Sequence, residues 1–185
     1  MNRDEPSGPI VVDASVGIAL LKDEPAAASI REALGHWQSL GTELAVPGLF
    51  WLEIINILAR EGRPARETLT AVEALEELGL RTVEPDPAMR LLVMDFCERY
   101  RLTAYDSLYL ALADVMGGRL ATLDRVLARA AGARAVFMGG AGRHPLHEAG
   151  GEYSSEPTWP RWSGTSAYLA RLRAQAEEAA RSARS

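Results

Sequence analysis

The feature that most constrains this chain is a regular alternation of short apolar runs with helix-patterned segments, from residue 10 to about residue 138. Residues 10–13, 43–46, 81–84, 119–123 and 135–138 read as strands of four or five residues. Between them, apolar residues recur at helical spacing over 15–21, 25–40, 47–60, 66–78, 87–100, 104–116 and 125–131. Pro47 is expected to open its helix, a favoured place for proline. Gly62, Gly79 and Gly117-Gly118 are expected to close theirs. Short apolar strands separated by helices imply a mostly parallel sheet covered on both faces, a three-layer α/β/α architecture. In such sheets ligands bind outside the carboxyl ends of the strands.

Composition narrows the function classes. With 48% hydrophobic residues the chain builds a real core. No apolar run approaches the roughly 20 residues that span a bilayer. The start, Met1-Asn-Arg-Asp-Glu-Pro, lacks the basic and apolar run of a secretory signal. One cysteine, Cys97, rules out an internal disulfide and a cysteine-based zinc site, and fits a cytoplasmic protein. A net charge of -5 argues against holding nucleic acid by bulk positive charge, but not against local binding by an enzyme. Lys22 is the only lysine, so phosphate contacts would fall to arginines.

Four acids stand where chemistry is expected. Asp13 ends the first strand; it reads equally as a helix N-cap or as a carboxylate at the ligand edge. Glu53 lies in Leu49-Phe-Trp-Leu-Glu-Ile-Ile-Asn-Ile-Leu58, a helix apolar on nearly every side and therefore expected to be buried. An ionised carboxylate there needs a polar partner. Glu53 shares a face with Asn56, which leads either to a polar stripe continuing to Arg60 or to an acidic pocket holding a cation. Thr103 and Asp106 have the spacing of a capping box, although aspartate fits that role less well than glutamate. Asp124 follows the strand that ends Thr122-Leu123, and capping explains it locally. Thr122 points to the same side of the extended chain and is placed to donate to a carboxylate or a metal-bound water. If the four acids converge, two carboxylates about 4 Å apart repel by roughly 4 kcal/mol at an effective dielectric near 20. Either some stay protonated or a divalent cation sits among them. Oxygen-only ligands select Mg²⁺ or Mn²⁺ over zinc.

Val11-Val12-Asp13-Ala-Ser15, Glu53-Ile-Ile-Asn56, Leu102-Thr103-Ala-Tyr-Asp106-Ser-Leu-Tyr-Leu-Ala-Leu-Ala113 and Leu120-Ala-Thr122-Leu-Asp124 occur in this order. The pattern resembles PIN-domain proteins, with the nearest look to VapC-type toxins of bacterial toxin–antitoxin pairs. The resemblance covers about residues 9–138. It implies a compact α/β/α fold and Mg²⁺- or Mn²⁺-dependent RNA cleavage leaving a 3′-hydroxyl and a 5′-phosphate. It makes Asp13, Glu53, Asp106 and Asp124 the catalytic and metal-binding carboxylates. Ser15, Asn56, Thr103 and Thr122 become their supporting residues. Implied partners are RNA, a cognate antitoxin and a second copy of the chain. Arg60, Arg63, Arg125 and Arg129 are candidates for RNA backbone contacts, against the plain alternative of solvated surface.

Two other functions compete. One is a catalytically inactive PIN-like module that binds RNA or protein. The other is a phosphatase of the haloacid-dehalogenase type, which needs a second aspartate where this chain has Ser15 and a lysine later than Lys22. Residues 139–185 form an extension outside the α/β domain, with a helix expected over 166–182. His144 and His147 lie among Pro and Gly and read as loop. Trp159 and Trp162 are expected to dock on a protein surface, their own domain or a second copy, with partial cover of the active-site groove as one outcome.

Overall fold

The computed structural model describes residues 8–139; the expected helix 166–182, His144, His147 and the two extension tryptophans lie outside the described residues. The chain runs β1 (Ile10–Val12), α1 (Ala14–Leu21), α2 (Ala27–Ser39), β2 (Leu44–Pro47), α3 (Leu49–Arg60), α4 (Ala65–Glu76) and β3 (Arg81–Val83). It continues through α5 (Pro87–Tyr100), α6 (Ala104–Val115), β4 (Arg119–Thr122), α7 (Arg125–Ala131), a short 3₁₀ turn and β5 (Ala135–Phe137).

The strands form one sheet in the order β3-β2-β1-β4-β5. Every neighbouring pair is parallel. Helices flank it, giving the expected α/β/α architecture. β1 is central and its three residues are buried, as are all four of β2; the edge strands β3 and β5 are partly wet. Such alternation of burial follows directly from the apolar runs. Each fully buried Ile, Val or Leu contributes about 1.5–3 kcal/mol relative to exposure.

The order of the strands fixes where a ligand can sit. From β1 the chain builds outward to β2 and β3 on one side, then crosses to β4 and β5 on the other. The carboxyl end between β1 and β4 is therefore a switch point, the crevice in which open parallel sheets bind ligands. At the opposite edge α6 ends at Gly117-Gly118, where Arg119 N donates to Pro9 O at 3.0 Å. A Cβ on Gly118 would stand 2.3 Å from that same carbonyl oxygen, so the approach requires glycine. With its last turn held at the amino edge, α6 carries its first turn, and Asp106, to the carboxyl edge.

α1 and α3 meet closely at Gly17, where an added Cβ would stand 2.8 Å from Phe50 Cζ and 3.1 Å from Ile54 Cδ1. This contact brings the turn of α3 that bears Glu53 against the helix that follows Asp13. At the other side of α3, Trp51 Nε1 donates to Thr82 Oγ1 at 2.9 Å, tying the helix to β3.

Two sequence expectations are corrected. Pro47 does not open α3: it is the last residue of β2, paired with Val83, and the helix starts at Leu49 after Gly48. A proline with no N–H to give is tolerated at a strand end. α3 is also not buried on every side. Phe50, Ile54, Ile57 and Leu58 face the core, whereas Leu52 is 64% exposed and Ile55 41%. The helix packs on one face only, and its apolar outer flank meets solvent.

Candidate active site

Asp13 occupies the N-cap position of α1, with extended backbone angles, yet its side chain makes no capping bond. Its carboxylate turns instead toward β4. Ser15 Oγ and Thr122 Oγ1 both donate to Asp13 Oδ2, the second at 2.7 Å. The two hydroxyls are themselves fixed: Leu123 N donates to Ser15 Oγ at 3.0 Å, and Asp124 N donates to Thr122 Oγ1 at 2.9 Å. Asp13, Ser15 and Thr122 are all buried. The result is a carboxylate held by a relay of hydroxyls and backbone N–H groups across the β1/β4 switch point.

Two other acids act electrostatically on this carboxylate. Burial pushes the Asp13 carboxyl above its ordinary value. The bonds from Ser15 and Thr122 pull it back, and the charges of Asp106 and Asp124 push it further up. Asp106 and Asp124 are thus close enough to repel Asp13, although they arrive from different elements.

Asp124 is the N-cap of α7. Its Oδ1 accepts from Val126 N at 2.5 Å and Leu127 N at 2.8 Å, so the capping reading holds there. Thr103 caps α6, and only half of the expected box forms. Asp106 N donates to Thr103 Oγ1 at 3.1 Å, and that hydroxyl in turn donates to Asp106 Oδ2 at 2.8 Å. The shorter aspartate takes the hydroxyl rather than the backbone N–H at the cap.

Glu53 is half-buried and accepts a hydrogen bond at Oε2 from the Tyr109 hydroxyl. In the sequence Tyr109 stands in the apolar run Leu108-Tyr-Leu-Ala-Leu112, which reads as core and does not reveal this contact. The available clue is that a buried tyrosine needs a partner for its hydroxyl. Burial raises the Tyr109 phenol well above 10.0; the charges of Glu53 and Asp13 and the bond to Glu53 add to this, and the Ala14 backbone opposes it. Tyr109 is therefore a protonated donor, and its hydroxyl feels both Glu53 and Asp13.

Asn56 is exposed on the outer flank of α3. The four arginines divide. Arg125 and Arg129 lie exposed on α7, which begins directly after Asp124. Arg60 and Arg63 lie at the far end of α3, and Arg63 stands 3.9 Å from Glu61. At 1.5 Å rise per residue, Arg60 is about 10 Å along the axis from Glu53.

The oxygen donors suit a hard cation such as Mg²⁺ or Mn²⁺. Among the described residues no group of three or more His, Cys, Asp and Glu is gathered closely enough to hold a metal ion. Mg²⁺ does not require such a group: it is bound through one or two carboxylates and keeps several waters. A buried carboxyl repelled by two neighbouring acids is the electrostatic complement of such an ion.

The chain is similar to several known proteins. Ribonuclease VapC3 of Mycobacterium tuberculosis is 33% identical over 133 residues, 69% of this chain and 93% of that protein. Two solved structures share the fold. VapC20 of Mycobacterium tuberculosis, described as a Sarcin-Ricin loop cleaving toxin, has a TM-score of 0.53 at 16% identity, covering 65% of this chain and 94% of its own. VapBC2 from Rickettsia felis, bound to a DNA fragment from its promoter, has a TM-score of 0.55 at 11% identity, covering 65% and 91%. The profile of the PIN domain matches residues 10–133, a span that begins with β1 and takes in all four acids. By its fold, its matched span and its relatives, the chain belongs to the PIN-domain family.

Proposed function

We propose that this chain is a metal-dependent endoribonuclease, with residues 9–138 as its catalytic domain and 139–185 as an extension. The observation that carries the reading is Asp13: a buried carboxylate, released from capping, held by Ser15 and Thr122 and repelled by Asp106 and Asp124. Burying a carboxylate beside two other acids costs free energy, and a bound cation would offset that cost.

Asp13, Asp106 and Asp124 would hold the Mg²⁺ or Mn²⁺, with Glu53 as the fourth carboxylate. The ion, when bound, supplies an activated water and charge stabilisation at the phosphate. Ser15 and Thr122 fix the direction of the Asp13 carboxylate, the work of groups that support metal ligands. Thr103 does the same for Asp106. Arg125 and Arg129 are the arginines best placed for RNA phosphates, because α7 starts at the site; Arg60 and Arg63 would act only on a longer track. Single-stranded or looped RNA is the fitting substrate, since a duplex hides its base edges from side chains.

A toxin role with a protein antitoxin follows from the VapC relatives. It is supported by an apolar groove of about 400 Å³ between α3 and α4, lined by Ile55, Ala59, Arg63, Ala65, Leu69 and Val72. With Leu52 and Leu69 also exposed, this flank is an apolar surface of the kind that protein partners cover.

The test is cleavage of single-stranded RNA by the full chain in MgCl₂ or MnCl₂. Wild type should cut, leaving 3′-hydroxyl and 5′-phosphate ends, and Asp13→Asn should be inert while its circular dichroism stays native. Cleavage that persists in excess chelator overturns the proposal.

A further inference from the structure

Glu53 faces a difficulty of its own. It lies on a helix whose neighbouring positions Leu52, Ile55 and Asn56 are exposed. A glutamate there has three rotatable bonds and water within reach. Left to itself it samples solvent, and holding it in one rotamer costs conformational entropy. Yet its Oε2 is engaged by a phenol from α6, 56 residues away in sequence.

That phenol is well placed to act as an anchor. Tyr109 is 1% exposed and its ring is among the largest fully buried side chains, so it cannot swing. It lies three residues after Asp106 on α6, on the same helix face. Its phenol is also influenced by the backbone of Ala14, the residue after Asp13. One rigid hydroxyl therefore binds the acid of α3, feels the backbone just after β1, and rides on the helix that carries Asp106.

Resting on the nuclease reading above, we propose that Tyr109 is the positioning residue of this site: its hydroxyl aims the Glu53 carboxylate at the space shared with Asp13. Tyr109 touches neither metal nor RNA. It acts through Glu53, and it lets a solvent-flanked glutamate serve as a pre-aimed group. The competing role is purely structural, with Glu53 serving only to satisfy a buried phenol.

Tyr109→Phe separates the two, because it removes one oxygen and keeps the packed ring. Mn²⁺ binding to the full chain, followed by calorimetric titration with MnCl₂ and by the electron paramagnetic resonance of free Mn²⁺, is the first readout. Loss of a group that orients a ligand weakens metal binding by about 10- to 100-fold. A weakening of that size is expected, with native circular dichroism. In a Glu53→Gln background the same Tyr109→Phe change should leave Mn²⁺ affinity within about twofold of Glu53→Gln alone, because the hydroxyl no longer has a charged ligand to aim. Unchanged Mn²⁺ affinity in Tyr109→Phe overturns the proposal, whatever happens to the melting temperature. So does an equal loss in both backgrounds. Wild type that binds no Mn²⁺ overturns the nuclease reading, and this one with it, which distinguishes the two failures.

Discussion

The turns β1–α1 and β4–α7 are built alike and behave differently. Each leaves a buried parallel strand, each places an aspartate at the N-cap of the next helix, and each holds that aspartate extended, at φ -77 and ψ 152 for Asp13 and φ -79 and ψ 119 for Asp124. Asp124 caps α7 with two backbone bonds, whereas Asp13 leaves α1 uncapped and turns toward Ser15 and Thr122. The local rule that aspartate before a helix is a cap holds at one turn and fails at its neighbour. Forgoing a cap costs about 1 kcal/mol, so the uncapped turn points to a demand other than folding.

The largest expected break in this pair is Asp13→Asn. It should lower metal-dependent RNA cleavage by at least about 100-fold, since even a group that only supports a ligand is worth 10- to 100-fold. Single-turnover cleavage rates check this. Asp124→Asn is the sharpening partner: it keeps the cap, so any loss of cleavage reports the carboxylate alone.

Thr122→Val comes next. It removes the 2.7 Å bond to Asp13 and the acceptor for Asp124 N. A drop of about 10- to 100-fold in cleavage is expected. The lost bond had favoured the charged carboxylate, so the acid limb of the pH–rate profile should also move to higher pH.

Smaller effects appear in stability. Asp124→Ala should destabilise the protein by about 1 kcal/mol through the lost cap, while Asp13→Ala should show no such capping loss. Chemical denaturation of the metal-free proteins reads both.

The smallest effect is in pH. The folded Asp13 carboxyl titrates above its ordinary 3.8. The pH-dependent part of its burial cost is absent below that value, grows as pH rises from there to the folded pKa, and is complete above it. Metal-free Asp13→Asn should therefore melt above wild type at pH 7, with the gap narrowing toward pH 4.

Much of the fold was legible because the sheet is parallel and buried. Apolar runs such as Ile10-Val11-Val12 and Leu120-Ala121 have nowhere else to go. Asp13 and Asp124 stood out as candidates because they follow strands, Glu53 because its helix is apolar, and Asp106 through the family resemblance. The errors were those of side chains judged without neighbours. α3 looked buried because Leu52 and Ile55 are apolar, but a helix packing on one face has an outer flank whatever its composition. Pro47 looked like a helix start because that is its local preference, yet pairing with Val83 extends β2 through it. Tyr109 passed as core because its ring is core, while its hydroxyl contacts an acid 56 residues away that periodicity cannot see.

The question underneath all of this is whether the crevice between β1 and β4 takes up a cation. Anomalous diffraction at the manganese edge from crystals of the full chain soaked in MnCl₂ answers it. The account predicts a peak bound directly to the Asp13 carboxylate, with Asp106 or Asp124 as a second oxygen ligand and water completing the shell. No peak in that crevice, under conditions where the protein cuts RNA, would contradict it.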